Sequence, residues 1–166
     1  MNRNAYVIVI AGLAVFGCAS DGGVAPNPRT QVEIRHFQSR SYPTNDAQLV
    51  MKAMVNVLQD LGFMIQNADA DLGLITAERW SDLEYTDKET KRARKKGATL
   101  PASVVTACTA NVSEFGTECR VRLTFQERSM GPAGAVIEAH MVDDAAFYQA
   151  FFAKVDKGVF LQREGI

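Results

Sequence analysis

The chain has 166 residues, of which 47% are hydrophobic and 22% charged, a balance that provides one globular domain with its own core. Its 18 lysines and arginines and 19 aspartates and glutamates give a formal net charge of −1 at pH 7. A chain so close to neutral gives no reason to expect nucleic acid or another polyanion as the partner of the whole protein.

Residues 1–17 have the layout of an export signal. Arg3 supplies positive charge, and an apolar run without a charged residue follows at positions 5–16. This run is shorter than the roughly 20 residues that a membrane-spanning helix needs, and it is typical of the hydrophobic part of a signal peptide. It ends in Val15-Phe16-Gly17-Cys18, which resembles the lipobox of bacterial lipoproteins.

The lipobox resemblance implies that residues 1–17 are removed and that Cys18 becomes the lipidated first residue. Several acyl chains then hold the protein in a membrane, because each buried methylene contributes about 0.8 kcal/mol. Ala19 stands where inner-membrane members of that family commonly have aspartate, which favours the periplasmic face of the outer membrane. The alternative is an ordinary signal peptide cut near Ser20, which leaves a soluble protein. Residues 18–30 are predicted to form a flexible tether that reaches roughly 20–30 Å.

Residues 31–166 are predicted to form a single α+β domain. The alternation of Val32 and Ile34 with polar residues predicts a half-buried strand over 31–37. The clearest helix follows at 47–61, with Thr44, Asn45 or Asp46 as its cap and Gly62 as its end. The apolar residues of this helix recur with the helical period: Val50, Met54, Val57, Leu58 and Leu61.

Two strands at 63–67 and 74–80 are predicted to form a hairpin, followed by a short exposed helix. Thr86 and Glu89 have the spacing of a capping box, and Gly97 ends this helix. Its second half carries a cluster of cations: Lys91, Arg92, Arg94, Lys95 and Lys96. These cations suit a solvated helix end, or a contact with anionic lipid headgroups or a partner.

A second hairpin is predicted from strands at 103–112 and 117–127, with its turn at 113–116. A further strand at 135–141 places Ile137, Ala139 and Met141 on one face. The last helix, at 145–160, begins after Asp143 or Asp144 and has an apolar stripe with helical spacing: Tyr148, Phe151, Phe152, Val155 and Val159. The order β-α-β-β-β-β-β-α, with a short helix after the third strand, predicts an antiparallel sheet with two amphipathic helices packed on one face.

Cys108 and Cys119 lie on the two arms of the second predicted hairpin. They face each other if the turn is centred near Ser113 and Glu114. In the oxidising periplasm we therefore expect a structural disulfide, which contributes roughly 3 kcal/mol in the chain-entropy model. No C-x-x-C spacing points to a redox role.

Few residues suggest catalysis or metal binding. The two histidines, His36 and His140, have no ligand spacing typical of zinc, and the common hydrolase and nucleotide-binding motifs are absent. The sequence thus favours a non-enzymatic protein without a cofactor or metal. Four aromatic residues near the C-terminus pack as a core face or, alternatively, line a groove for a lipid or small apolar ligand: Phe147, Tyr148, Phe151 and Phe152.

Several segments resemble uncharacterised periplasmic lipoproteins, namely Gln38-Ser39-Arg40, Val57-Leu58-Gln59-Asp60-Leu61-Gly62-Phe63, Asp71-Leu72-Gly73-Leu74-Ile75-Thr76-Ala77-Glu78 and Tyr148-Gln149-Ala150-Phe151-Phe152. The element order resembles the helix-grip domain of BamC-type lipoproteins, which belong to the outer-membrane β-barrel assembly machinery. The resemblance implies an interaction or assembly module with an envelope protein complex as its partner. It transfers no functional residue, and this chain has one such domain and a short tether where BamC-type proteins have two domains and a long arm.

Overall fold

The computed structural model of the chain describes residues 30–165. Cys18, the signal peptide and nearly all of the tether lie outside this range. Within it, six strands form one antiparallel sheet accompanied by four α-helices. The elements in chain order are α1 (Gln31–Phe37), β1 (Ser39–Tyr42), α2 (Ala47–Asp60), β2 (Met64–Asp69), β3 (Leu74–Asp82), α3 (Asp87–Lys96), β4 (Ser103–Phe115), β5 (Glu118–Met130), β6 (Val136–Met141) and α4 (Ala145–Glu164).

Strands β4 and β5 form the long central hairpin of the sheet. On one side β4 pairs with β3, which pairs with the edge strand β2. On the other side β5 pairs with two short strands placed end to end, β1 against residues 119–122 and β6 against residues 126–130. The sheet therefore has β2 at one edge, and β1 and β6 share the other.

Helices α2 and α4 pack against each other and cover one face of the sheet. The helical stripe predicted for α4 is confirmed, because all five of its residues are buried, and Asp144 caps this helix. In α2, Asp46 accepts a hydrogen bond from Leu49 N–H at 2.8 Å, and Gly62 follows the helix with a φ of +81°. The predicted fold class, an antiparallel sheet with two amphipathic helices on one face, is confirmed. None of the helices in the described range is both long and apolar enough to span a bilayer.

The strand predicted over residues 31–37 is wrong, because this segment forms α1. The Thr30 hydroxyl accepts a hydrogen bond from Glu33 N–H at 3.3 Å, and the Glu33 carboxylate accepts one from Thr30 N–H at 2.7 Å. This capping box fixes a helical turn, whereas no residue of α1 is buried and Val32 is 77% exposed. The first strand of the sheet is instead the more polar β1, in which only Tyr42 is buried.

The Tyr148 side chain joins α4 to the gap between β1 and β6. Its hydroxyl accepts hydrogen bonds from Phe125 N–H at 3.1 Å and from Gln38 Nε2 at 3.4 Å, and donates one to the Val142 carbonyl at 3.1 Å. Burial raises the pKa of Tyr148, so the hydroxyl keeps its proton at neutral pH. The neighbouring Leu123 N–H donates to the Gln38 carbonyl at 3.0 Å. The backbone of β5 therefore keeps its partners across the break between the two short strands.

Replacing Tyr148 with phenylalanine should lower the free energy of unfolding by about 1–3 kcal/mol, because buried backbone groups lose their partner while the ring still fills its site. Urea unfolding followed by circular dichroism measures this change. Tyr85→Phe is the matched control, since Tyr85 is 37% exposed. A loss in Tyr148→Phe no larger than that of the control would contradict the role given to this hydroxyl.

Candidate functional site

The face of the sheet opposite α2 and α4 is a candidate surface, because these two helices pack on the other face. Directly opposed residues in neighbouring strands share a face, so the register defines two rows across this surface. One row runs from Met64 through Glu78, Ala107 and Gln126 to Met141, and the next runs from Trp80 through Val105 and Arg128 to Ala139. Among the residues in these rows, only Val105 is buried.

The open face combines an ion pair with exposed apolar side chains. Arg128 Nη2 donates to Glu78 Oε1 at 2.6 Å, and both side chains are about one third exposed. Trp80 is 54% exposed, Met64 58% and Met141 49%. Met64 lies on the edge strand β2 and Met141 on the opposite edge strand β6, so these apolar side chains are spread across the face and do not form one patch.

The segment between β3 and β4 leaves the sheet and contains α3. A hydrogen bond from Leu83 N–H to the Ala102 carbonyl at 3.0 Å joins the two ends of this segment. Helix α3 has no buried residue, and its two ends are as predicted. The Thr86 hydroxyl and Glu89 carboxylate form the capping box, these hydrogen bonds lower the pKa of Glu89, and Gly97 ends the helix with a φ of +63°. Local signals thus define the two ends of this helix, to which the core contributes no buried residue.

The basic arm, defined here as α3, concentrates the positive charge of the protein. Its ten residues contain two carboxylates, Asp87 and Glu89, and six cations: Lys88, Lys91, Arg92, Arg94, Lys95 and Lys96. The rest of the chain has 12 cations and 17 carboxylates, so a formal charge of +4 on the arm stands against −5 elsewhere. Two aromatic residues lie before it in sequence, Trp80 at 54% and Tyr85 at 37% exposure.

The predicted disulfide between Cys108 and Cys119 is wrong, because both cysteines are free and buried. In the β4–β5 hairpin Cys108 lies opposite Phe125, and Cys119 lies opposite Glu114. The two thiols are thus six residues out of register, or about 20 Å at 3.3 Å per residue, whereas a disulfide needs Cα atoms within about 7 Å.

The position of the hairpin turn explains this error. The turn consists of Gly116 and Thr117, because Phe115 pairs with Glu118. Gly116 adopts a φ of +65°, which a two-residue hairpin turn requires at its first central position and which glycine adopts without strain. A Gly-Thr pair between two alternating segments was the sequence signal for this turn.

The two thiols have the properties of core residues. Burial raises the pKa of Cys108 to about 12. Burial also raises the pKa of Cys119, with smaller contributions from the carboxylates of Glu114 and Asp46. Since the thiolate is the reactive form, neither cysteine is suited to nucleophilic or redox chemistry.

The apolar groove predicted from the C-terminal aromatic residues is filled. Tyr148, Phe151 and Phe152 are at most 3% exposed and belong to the core, and Phe147 packs against it. The ring of Phe125 from β5 occupies the space between them, at centroid distances of 4.9 Å to Phe147, 5.7 Å to Tyr148 and 5.3 Å to Phe151. No ligand groove remains among these four residues.

An ion pair that no sequence pattern predicts joins β1 to α4. Arg40 Nη2 lies 2.6 Å from Asp156 Oδ2. A cleft of about 400 Å³ that includes His36 lies on one side of Arg40, and one of about 520 Å³ that includes Phe160 lies on the other. Both partners of the pair are more than one third exposed, so it contributes at most about 1 kcal/mol to stability.

The two histidines lie on different elements. His36 is on the exposed surface of α1, and His140 is on β6 with its Nε2 atom 3.5 Å from Glu127 Oε2. Within residues 30–165 no group of three or more histidine, cysteine, aspartate or glutamate side chains is placed to hold a metal ion.

Comparison with known proteins finds distant structural neighbours alone. No protein-family model and no curated protein matches the chain. The crystal structure of a DUF4468 family protein from Bacteroides ovatus is similar to it with a TM-score of 0.41 and 14% identity, covering 73% of this chain and 84% of that one. A TBP-like protein from Parabacteroides distasonis is similar with a TM-score of 0.38 and 10% identity, covering 73% and 90%. Likeness at this level assigns neither a family nor a function.

Alkylation of the non-reduced protein with iodoacetamide in denaturant should label both Cys108 and Cys119, because neither is in a disulfide. Without denaturant at pH 8 the labelling should be slow, since both thiols are buried and their pKa values are raised. Intact-mass spectrometry counts the added groups, and a sample reduced before labelling is the control. Labelling of this pair that appears only after reduction would show a disulfide instead.

Proposed function

We propose that this protein is a membrane-anchored lipoprotein, held by lipid on Cys18 at the periplasmic face of the bacterial outer membrane, and that it acts as a non-enzymatic interaction module of the cell envelope. The observation that carries the proposal is the basic arm. It stands away from the core, it holds a charge of +4, and it belongs to a domain whose remainder is negative. Such a separation of charge orients a tethered domain against an anionic surface.

Anionic phospholipids are the first partner of the basic arm in this proposal. A lipid anchor and a tether of roughly 20–30 Å keep the domain close to headgroups. Each lysine or arginine near a charged bilayer contributes about 1 kcal/mol of attraction, so several cations together produce a strong orienting force. The negative remainder of the domain is repelled by the same surface, and the arm therefore faces the membrane.

Two aromatic residues near the arm support this orientation. Trp80 and Tyr85 are exposed, and tryptophan and tyrosine are enriched at membrane–water interfaces, where an apolar ring and a polar group are both accommodated. The basic arm itself has no apolar face to insert, so its contact is electrostatic and sensitive to salt.

With the arm and Trp80 at the membrane, the part of the open face near β5 and β6 and the edges of the sheet are the surfaces left for protein partners. The resemblance to BamC-type lipoproteins supports an envelope protein complex as that partner. Binding of a lipid or small apolar ligand between the C-terminal aromatic residues is the weaker alternative, because Phe125 occupies that space.

The anchor is tested by the mass and location of the mature chain. When the protein is expressed in a Gram-negative host, the mature form should begin at Cys18 and carry the mass of a diacylglycerol and an acyl chain. Cys18→Ser should abolish this modification and release the protein from the outer-membrane fraction. A wild-type chain that begins elsewhere with an unmodified thiol would remove the anchor from the proposal.

The orientation of the arm is tested by the fluorescence of Trp80, which is the single tryptophan of the chain. The lipidated protein is reconstituted into vesicles of phosphatidylcholine alone or mixed with phosphatidylglycerol. In the anionic vesicles the emission should shift to shorter wavelength and acrylamide should quench it less, because the indole lies at the interface. Salt at about 0.5 M should reverse both effects, since it shortens the Debye length to a few ångströms.

Two matched triple variants separate the effect of the cations on the basic arm from the effect of the net charge of the protein. Lys91→Gln/Arg92→Gln/Lys95→Gln should lose the response to phosphatidylglycerol, and glutamine preserves the helix. Lys52→Gln/Lys154→Gln/Lys157→Gln changes the net charge equally at exposed positions of α2 and α4 and should keep the response. Equal emission in both kinds of vesicle for the wild type would argue against membrane contact by the arm.

A further inference from the structure

Strand β6 is an edge strand whose outer side is exposed and whose single carboxylate is Glu138. All six of its residues are exposed, and within the described range no strand pairs with its outer edge. Natural edge strands are commonly blocked by lysine, proline or a bulge. β6 contains neither lysine nor proline, and its single irregularity lies at its beginning, where the register with β5 shifts between Ser129 and Met130.

The opposite edge of the sheet is less suited to pairing. Strand β2 has a register irregularity in its middle, between Ile65 and Asn67, which bends the strand and disturbs a flat edge. From Glu138 to Met141, by contrast, β6 follows β5 in regular register. Ile137 is 46% exposed and Met141 49% exposed on this strand.

The sequence of β6 is complementary to itself in one antiparallel register. Two antiparallel neighbours in a sheet are related by an axis perpendicular to the sheet, so the open faces of both copies lie on the same side. With that axis beside Ala139, Glu138 of one copy lies opposite His140 of the other, and Ile137 lies opposite Met141. An acid thus meets an imidazole twice and an apolar side chain meets another twice, which are favourable cross-strand pairs.

Neighbouring registers lack this complementarity. A shift in one direction centres the axis on Glu138 and places two carboxylates directly opposite each other, which is unfavourable. A shift in the other direction centres it on His140, pairs the two imidazoles and leaves Ile137 without a counterpart within β6. In both of these registers the pairing is shifted by two residues. If the pairing shifted by one residue instead, side chains of the open face would lie opposite side chains of the helix-covered face.

We propose that β6 pairs with β6 of a second copy of this chain about a two-fold axis at Ala139, which joins two six-stranded sheets into one. The partner is a second copy because the order of polar and apolar side chains in the strand complements itself in this register. The axis also places both α1 helices on the same side of the joined sheet, since α1 packs on α4 in the helix layer. The chain segments before α1 in the two copies therefore start on one side.

Cysteine cross-linking tests the register in the full-length lipidated protein, in membranes of the expressing cells. Ala139→Cys places the new thiol of one copy opposite the same thiol of the second copy. Copper phenanthroline should therefore convert this variant to a disulfide-linked dimer on a non-reducing gel. Ile137→Cys alone and Met141→Cys alone should remain monomeric, because equivalent residues are then four positions out of register. Co-expression of these two variants should restore the dimer. All three positions are exposed, so the core is unaffected.

The outcomes that overturn the proposal are equally specific. Cross-linking of Ala139→Cys no stronger than that of Ile137→Cys would show random collision. The wild type is the control for Cys108 and Cys119, and a dimer band in the wild type that matches Ala139→Cys would also remove the support.

A second measurement needs no new thiol. Ala139→Glu places two carboxylates at the axis, whereas within one chain the new side chain lies opposite Arg128 and the fold is kept. Self-association of the purified protein in detergent, measured by sedimentation equilibrium, should weaken at least tenfold. Asn67→Glu places a new carboxylate on the open face of the exposed edge strand β2, opposite Thr76, and should leave the association unchanged. A wild type that stays monomeric at all concentrations, or loss of the dimer in Asn67→Glu alone, would refute pairing through β6.

Discussion

The architecture depends on how the backbone N–H and C=O groups along the outer edge of β5 find hydrogen-bond partners. This strand has 13 residues, whereas β1 and β6 cover only its two ends. Backbone groups buried between them must find partners, because an unpaired buried amide costs about as much as a lost hydrogen bond. The carbonyl of Gln38 and the hydroxyl of Tyr148 supply those partners, and the Val142 amide donates to the Phe125 carbonyl at 2.9 Å. One helix side chain therefore fixes where β1 begins, where β6 ends and how α4 lies on the sheet.

This arrangement divides the molecule into a packed side and an exposed side. Because α4 directs its aromatic stripe at Phe125, the space between the C-terminal aromatic residues and the sheet is used for stability and is not open to a ligand. The features available for interaction are consequently peripheral: the open face, the basic arm and the edge strand β6. They differ in physical character, since the arm acts through charge and is weakened by salt, whereas β6 offers backbone groups and apolar side chains.

The sequence predicted the elements whose signals are local and repeated. The stripe of α4 and the capping of α3 were identified because periodicity and cap spacing act within one element. The alternation of Val32 and Ile34 predicts a strand at α1, whereas the capping box of Thr30 and Glu33 is the local signal that the helix follows, because neither Val32 nor Ile34 is buried. The predicted pairing of Cys108 with Cys119 is wrong because the register of a hairpin depends on the position of its turn. The turn begins at Gly116, which has a φ of +65°, and this position shifts every residue pair of the hairpin relative to the predicted register. The Arg40–Asp156 pair joins residues 116 positions apart, which no local pattern reveals.

The basic arm also differs from the rest of the protein in how its stability arises. A ten-residue helix without a buried residue is marginal in water even with good caps, because nucleation costs more than so few hydrogen bonds return. Lysine and arginine near the C-terminal end of α3 are favourable to the helix dipole, but they also repel one another at close spacing. An anionic surface relieves that repulsion, and so it stabilises the helix while binding it. Because the basic arm lies outside the core, its helical order responds more strongly to a negatively charged partner than that of the other elements. Strand β6, in contrast, keeps its conformation through its pairing with β5 whether or not a second strand is present.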